Sequence, residues 1–341
     1  MKAFVTGGTG FIGSEVVRRL AKGGHEVRCL VRPASDTTRI ETAGAHLIRG
    51  DLQNRASLLE GMRGCDWAIH VAAAYSFWAP DPRIYREVNV DGARNVMECA
   101  LEAGVSKVVH VGTVVTCGTP GRMPVTEETP AGPVRLSEYA RTKHEGEVIA
   151  WRLRETRGLP LVVVMPGGVL GPGDSKASGR YIRDLVQGRM PARVLESSPF
   201  PWVHVGDAAE GIVRAAAKEG NAGEKYFLVA ENLTFGQINR MISEISGARL
   251  PRMRLPDGLT LAGAHLLTAV ARLTGRPPML GLSLDQIRTM KEGLVVDGSK
   301  AVRELGIRYT PIRAAIEEEI ESFRPAGPAP TRSHGGSKET R

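Results

Sequence analysis

The apolar run Lys2–Val5 leads into Phe11–Lys22, where Val16, Val17 and Leu20 fall on one side at helical spacing. The pair predicts a strand, a tight turn and an amphipathic helix. The alternation continues: strands are expected at Val27–Val31, Leu47–Ile48, Trp67–Val71, Lys107–Val111 and Leu161–Val164, with long helices over Ile84–Ala103 and Ser137–Thr156. Strands separated by helices at this spacing form β-α-β units, and such units build a parallel sheet.

After Pro166 the pattern loosens. Gly167–Gly179, rich in Gly, Pro and Asp, reads as loop, and helices follow near Ala208–Lys218, Phe235–Ser246, Pro256–Leu273, Leu284–Met290 and Ile312–Phe323. The expected fold class is α/β: a Rossmann-type doubly wound parallel sheet with a smaller, mostly helical C-terminal substrate lobe. The dinucleotide-binding domain is assigned to 1–168, with a strand and helix around 201–218 returning to it. The substrate lobe is assigned to 169–324, and a disordered tail to 325–341, where apolar content is low.

Composition narrows the function classes. The 341 residues are 42% hydrophobic with 40 glycines, enough for full-sized cores and many tight turns. The net charge of +8 is partly concentrated at the end of the chain, where Arg332, Lys338 and Arg341 face Glu339. No basic stripe interleaved with aromatics occurs, so a nucleic-acid partner is not expected, while anionic small molecules suit the charge. Cys29, Cys65, Cys99 and Cys117 lie far apart, predicting reduced structural thiols and neither a metal site nor a disulfide framework. The N-terminus enters a strand at once and leaves no room for a signal peptide. Leu259–Leu273, interrupted by His265 and Arg272, reads as a buried helix and not a membrane span. A cytoplasmic protein without a membrane partner is expected.

The sharpest local signal is Thr6-Gly-Gly-Thr-Gly-Phe-Ile-Gly13, set between the first strand and its helix. Gly7 permits the tight turn, Gly10 removes a Cβ where a pyrophosphate approaches, and Gly13 lets the helix pack on the sheet. Phe11 and Ile12 open that helix, whose N-terminus offers free N–H groups to an anion. A nicotinamide dinucleotide is the implied cofactor. An acid that accepts from the ribose hydroxyls usually closes the second strand in NAD enzymes, but here it ends Val31-Arg32-Pro33. Arg32, with help from Arg39, suits the 2′-phosphate of NADP(H), which is favoured over NAD(H). Asp51 and Leu52 are placed to border the adenine, and Ala72, Ala73 and Ala74 to pass under the cofactor.

Tyr139 and Lys143 stand one turn apart on one helix face. A phenol of ordinary pKa, about 10, is a poor acid or base near neutrality. A neighbouring ammonium and a cationic nicotinamide would favour the phenolate and let it exchange a proton with an alcohol or carbonyl oxygen. Thr113, just past the strand Lys107–Val111, is positioned to hold that oxygen.

With these residues in view, the chain resembles an extended short-chain dehydrogenase/reductase of the NAD-dependent epimerase/dehydratase superfamily, from Thr6 to about Phe323. Further marks are His70-Val-Ala-Ala73, Asn89-Val-Asp-Gly92, Gly171-Pro-Gly-Asp174, Trp202-Val-His-Val-Gly-Asp207 and Val296-Asp-Gly-Ser-Lys-Ala301. The resemblance implies that Tyr139 carries the proton, that Lys143 holds the nicotinamide ribose, and that Thr113 replaces the usual serine. It also implies that Pro166 and Val169 border the nicotinamide, that Asn89 lies nearby, and that a homodimer forms through helices 84–103 and 137–156. Two subgroups are most similar. One holds dihydroflavonol-4-reductase-like and 3β-hydroxysteroid dehydrogenase-like reductases; the other is a hopanoid-associated sugar epimerase group, resembled at Phe77–Pro82, Gly188–Ala192 and Leu273–Arg276.

All these enzymes begin with the same hydride step, so the pocket must discriminate. Val114 and Val115 stand where 4,6-dehydratases carry Asp-Glu, which argues against dehydration. Met165 and Gly168 replace the Arg and Asn of the nucleotide-sugar epimerase pattern, although Arg180, Arg183, Arg189 or Arg193 could compensate. The segments expected to face substrate are aromatic or apolar: Tyr75, Ser76, Phe77, Trp78, Leu136, Tyr181, Ile182, Phe200 and Trp202. Such a wall fits a hydrophobic ketone. The expectation is an NADP(H)-dependent oxidoreductase acting on a small hydrophobic or aromatic molecule, with sugar epimerisation as one alternative and a non-turnover cofactor-bound sensor or scaffold as the other.

Overall fold

The computed structural model describes residues 1–323, so the tail expected at 325–341 lies outside the described residues. The first half runs β1 (Lys2–Thr6), α1 (Phe11–Lys22), β2 (Glu26–Val31), α2 (Thr38–Thr42), β3 (His46–Arg49), α3 (Arg55–Met62) and β4 (Trp67–His70). Then follow α4 (Arg83–Arg86), a π-helical turn (Glu87–Gly92), α5 (Ala93–Ala103), β5 (Lys107–Val111), α6 (Glu138–Arg157) and β6 (Leu161–Pro166). The second half comprises β7 (Gly168–Leu170), α7 (Ala177–Val186), β8 (Pro199–His204), α8 (Val205–Ala217), β9 (Lys225–Leu228) and β10 (Glu231–Thr234). It closes with α9 (Phe235–Ser246), α10 (Asp257–Thr274), α11 (Leu284–Glu292), α12 (Ser299–Leu305) and α13 (Ile312–Ser322).

The large sheet is parallel, with order β3-β2-β1-β4-β5-β6-β9. The strand order reverses between β1 and β4, and in such sheets the crevice outside the carboxyl ends of the strands at that point is the general place for a ligand. Both faces are covered because the strands are apolar on both. Val16, Val17 and Leu20 of α1 and Ala208, Ile212 and Ala215 of α8 pack one side; Leu58, Val96, Met97 and Ala150 from α3, α5 and α6 pack the other. A second, three-stranded sheet, β10-β8-β7, forms the floor of the smaller lobe with α7, α9 and α13.

Four expectations change in detail. Ile84–Ala103 is not one α-helix, because the wider π turn at 87–92 interrupts it. The Gly167–Gly179 stretch is not wholly loop: Gly168–Leu170 pairs with β8, and α7 begins at Ala177. Of the segment around 201–218, α8 does return to the large sheet, but β8 belongs to the small one, where Phe200 and Trp202 pack on Leu233 and Ile238. The strand that returns is β9, through Val163↔Lys225 to Pro166↔Leu228. Finally, α10 is not buried. Its inward residues are the small Thr260, Ala264, Thr268 and Ala271, while Leu259, Leu266, Val270 and Leu273 face out.

Candidate active site

The glycine turn is shaped by close approaches. Gly7 has φ +75°, and a Cβ there would stand 2.5 Å from Ala72 N; a Cβ on Gly13 would stand 2.0 Å from Gly7 O. Gly10 N–H donates to Gly7 O (3.0 Å), and Gly10 caps α1 without any side-chain hydrogen bond. The first-turn N–H groups, flanked by the part-buried Phe11 and Ile12, are thereby left to the crevice. That bare helix N-terminus on a turn with no Cβ to spare fits the pyrophosphate of a dinucleotide.

Around it the expected cofactor residues gather at the strand ends. Ala72 N–H donates weakly to Thr6 Oγ1 (3.4 Å), and Ala74 N–H donates to Asn89 Oδ1 (2.8 Å). Ala73 lies between them, part-buried. Asn89 is brought inward by the π turn and donates to Thr142 Oγ1 (3.1 Å), tying the loop after β4 to α6. Asp51 accepts from Gln53 N–H (2.9 Å) and so shapes the turn after β3, while Leu52 is buried beneath it. Arg32 is exposed immediately after β2; among the described residues its guanidinium has no ion pair or hydrogen bond. Arg39 on α2 reaches across to the second lobe, its guanidinium 3.0 Å from where a Cβ of Gly173 would lie. Pro166 ends β6, and Val169 follows in β7, part-buried against the large core.

The catalytic candidates converge on α6. Ser137 caps that helix by accepting from Ala140 N–H (3.2 Å), and Glu138 N–H donates to Asp285 Oδ2 (3.0 Å), fixing the first turn on α11. Tyr139, 7% exposed, and Lys143, 2% exposed, both point inward. The Thr113 side chain adjoins the phenol and favours its ionised form, but burial, followed by the neighbouring Tyr75, dominates and raises the Tyr139 pKa. Lys143 Nζ donates to Val111 O (2.8 Å), and burial lowers its pKa to about 8, with Glu147 opposing. The protein's own groups therefore keep the phenol protonated. The expected support from the ammonium does not by itself bring Tyr139 toward neutrality.

The aromatic wall is present in part. The rings of Tyr75 and Phe77 meet Tyr139 edge-on, with centroids 5.2 and 6.1 Å away. Ser76 is engaged within its own loop, accepting from Trp78 N–H (3.1 Å) and donating to Trp78 O; Trp78 itself is half-buried. Leu136 and Phe200 line a recess with Val115, Ala140 and Leu294 beside α6. Two candidates lie in the lobe's own packing. Trp202 Nε1 donates to Leu233 O (3.2 Å) within the small-lobe core, and Tyr181 Oη donates to Asn239 Oδ1 (2.5 Å). Trp202 has a different consequence: a Cβ on Gly168 would stand 2.8 Å from its ring. A side chain at 168 has no room.

The helix α11 is expected from the sequence near Leu284–Met290, but its part in the site is not. Ser283, at its cap, donates to Phe77 O (2.9 Å), and Met290 packs against the Phe77–Tyr85–Tyr139 cluster. No local motif marks either residue. Sequence reasoning also passed over the floor of the site, where His70 Nδ1 meets Thr6 Oγ1 (2.7 Å) and its ring stacks on His110 at 5.4 Å. Burial, then the charge of Lys143, pushes His70 down to about 3 and His110 down as well, so both rings are neutral. The four cysteines are free and buried, with Cys29 and Cys117 pushed up to about 12 by desolvation. They are unreactive thiols. Among the described residues no group of three potential ligands could hold a metal ion.

This geometry has close counterparts. A sequence profile of the NAD dependent epimerase/dehydratase family matches residues 3–228. A protein of Methylococcus capsulatus named sterol demethylase protein B is 33% identical over 96% of this chain and 99% of its own length. A putative dihydroflavonol 4-reductase of a Synechocystis species is 32% identical, over 95% of each chain. Among solved structures, that of gox2253 superposes with a TM-score of 0.81 at 36% identity, covering 94% of this chain and 97% of that one.

Proposed function

The chain belongs to the NAD dependent epimerase/dehydratase family, and on that footing we propose that it interconverts a ketone and a secondary alcohol on a hydrophobic or aromatic small molecule, with NADP(H) favoured over NAD(H). The observation that carries this reading is the setting of Tyr139, whose phenol stands beside Thr113 under the rings of Tyr75 and Phe77. A flat apolar ketone fits such a wall, with its oxygen directed at the two hydroxyls. The names of the relatives, sterol demethylase protein B and putative dihydroflavonol 4-reductase, support the same substrate class. The filled space over Gly168 weighs against a nucleotide-sugar epimerase, because the position that would carry the diphosphate-binding Asn cannot hold a side chain.

When bound, the nicotinamide supplies the hydride that reduces the carbonyl carbon, or accepts it in the reverse direction. The chain's residues do the rest. The turn Gly7–Gly13 and the α1 N-terminus hold the phosphates, and Arg32 with Arg39 provides the charge for a 2′-phosphate. Thr113 Oγ1 donates to the substrate oxygen and fixes its position. Tyr139 Oη gives its proton to that oxygen as charge develops there. Lys143, held by Val111 O, directs its remaining N–H groups toward the ribose side and stabilises the phenolate left behind. A phenol kept protonated until that moment is the correct starting state for reduction.

Purified protein is to be offered NADPH and NADH with a panel of aromatic, steroid-like and aliphatic ketones. Net NADPH oxidation on an apolar ketone is expected, falling at least about 100-fold in Tyr139→Phe with cofactor binding retained. Interconversion of a nucleotide sugar without net NADPH use would replace the reading by epimerisation. Tight cofactor binding without turnover on either class would make the protein a sensor or scaffold.

A further inference from the structure

The helix α10 is amphipathic in reverse. Its 18 residues present Thr260, Ala264, Thr268 and Ala271 to the protein. At 3.6 residues per turn the opposite side carries Leu259, Ala262, Leu266, Ala269, Val270 and Leu273. Leu266 is 67% exposed and Leu273 87%, and the segments flanking the helix add Met253 and Met279, both exposed. An outward stripe of this length on one helix marks an interaction surface and not scattered surface leucines. No helix among the described residues is long and apolar enough to cross a membrane, and α10 is fastened along its inner side. Leu284 N–H donates to Thr268 Oγ1 (2.8 Å), and Ala264 packs with Leu195 and Ile287.

The charges around the stripe identify its occupant. From Ala248 to Ser283 the chain has Arg249, Arg252, Arg254, Arg272 and Arg276, no lysine, and Asp257 as its one acid. Arg254 pairs with Glu196, while Arg252, Arg272 and Arg276 are exposed without an ion-pair partner among the described residues. An apolar face edged by free guanidiniums is complementary to acyl chains beneath anionic headgroups. A second copy of this chain would bring the same arginines face to face. We propose that α10 lies in the interface of an anionic lipid bilayer, its leucine stripe inserted among the acyl chains and its arginines on the headgroups. The inner side of α10 rests on α11, which contributes Thr289 to the recess beside α6 and, through Ser283 and Met290, touches the wall of Phe77 and Tyr139. Docking in this orientation brings α11, and the recess behind it, near a membrane in which an apolar ketone is dissolved. This last step rests on the substrate class proposed above; the docking does not.

The full chain is to be tested by flotation with vesicles of phosphatidylcholine alone and of phosphatidylcholine with phosphatidylglycerol, at low and high salt. Flotation is expected with the anionic vesicles and to weaken with salt. It should fall at least about tenfold in Leu266→Glu/Leu273→Glu and several-fold in Arg272→Ala/Arg276→Ala. Both variants keep the cationic residues beyond 323, so flotation that survives the leucine pair belongs elsewhere and overturns the proposal. No flotation of the parent overturns it too, as does a leucine variant whose native mass is halved, which assigns the stripe to a second copy. The arginine pair keeps the test decisive if the leucine pair does not fold. Because no turnover is read, the result is separate from the fate of the substrate assignment.

Discussion

Glu319 on α13 is 1% exposed, and neither of its carboxyl oxygens meets a donor among the described residues. Burial and the nearby Asp174 raise its pKa from 4.5 to about 7, with Arg183 opposing. The folded chain thus keeps a proton that the unfolded chain loses above about pH 4.5. Stability falls as pH rises across that window to about 7, and the penalty is constant beyond it. Glu319→Gln, which keeps the shape and removes the charge, should be more stable than the parent by about 3 kcal/mol near pH 8 and equal to it near pH 4. Urea denaturation at the two pH values checks this; an equal difference at both would assign the effect to packing. Arg32 gives the second prediction at this scale. Arg32→Glu should raise the KM for NADPH about tenfold or more while leaving kcat and the NADH parameters nearly unchanged, since a charge-assisted contact to a 2′-phosphate is made only by NADPH. Steady-state kinetics with the two cofactors decide it, and equal losses on both would remove Arg32 from cofactor selection.

Among the elements, β7 and β8 show how packing settles a question left open by motif. Trp202 reads as pocket-facing because it sits in an aromatic stretch, but β8 turns that side chain inward onto Leu233, over Gly168. Gly168→Asn should therefore cost about 2 kcal/mol by overpacking and confer no epimerase activity; denaturant midpoints and a nucleotide-sugar assay are the measurements. The same contrast runs through the chain. The β-α-β order, the glycine turn and the Tyr139–Lys143 pair were legible because each depends on neighbours within a few residues. The π turn at 87–92 was not, since it is fixed by Asn89 bonding to Ala74 and Thr142 on other elements. Nor was α11 as a wall of the recess, because it arrives from about 145 residues beyond Tyr139 by way of Asp285 bonding to Glu138. For α10, periodicity exposed an apolar side, yet the side that docks is chosen by small residues that let the helix approach.

For the molecule as a whole, the remaining expectation is self-association along the α4–α5 run and α6. These helices pack closely on one another, Gly146 facing Asn89 O so tightly that a Cβ would stand 2.2 Å from it. Their outer surface is largely charged and already neutralised within one chain: Arg55 pairs with Glu98 and Glu102, and Arg141 with Glu138 and Glu145. The most exposed large apolar residues there are Ile84, at 38%, and Val148, at 50%, with Ile149 and Trp151 half-buried beside them. A partner on this face gains little hydrophobic burial and must meet ion pairs that are satisfied without it, unlike the apolar interfaces of obligate dimers. We therefore expect a reversible homodimer, with a mass in sedimentation equilibrium that rises with concentration from 36.7 kDa toward twice that value. Val148→Glu should shift it to monomer while retaining the proposed turnover, because Tyr139 and Lys143 face inward from α6 and Val148 faces out. A mass fixed at the monomer value would remove this interface. A dimer that survives the substitution would move it to another face, and the leucine stripe of α10 is the surface whose variants then answer the question.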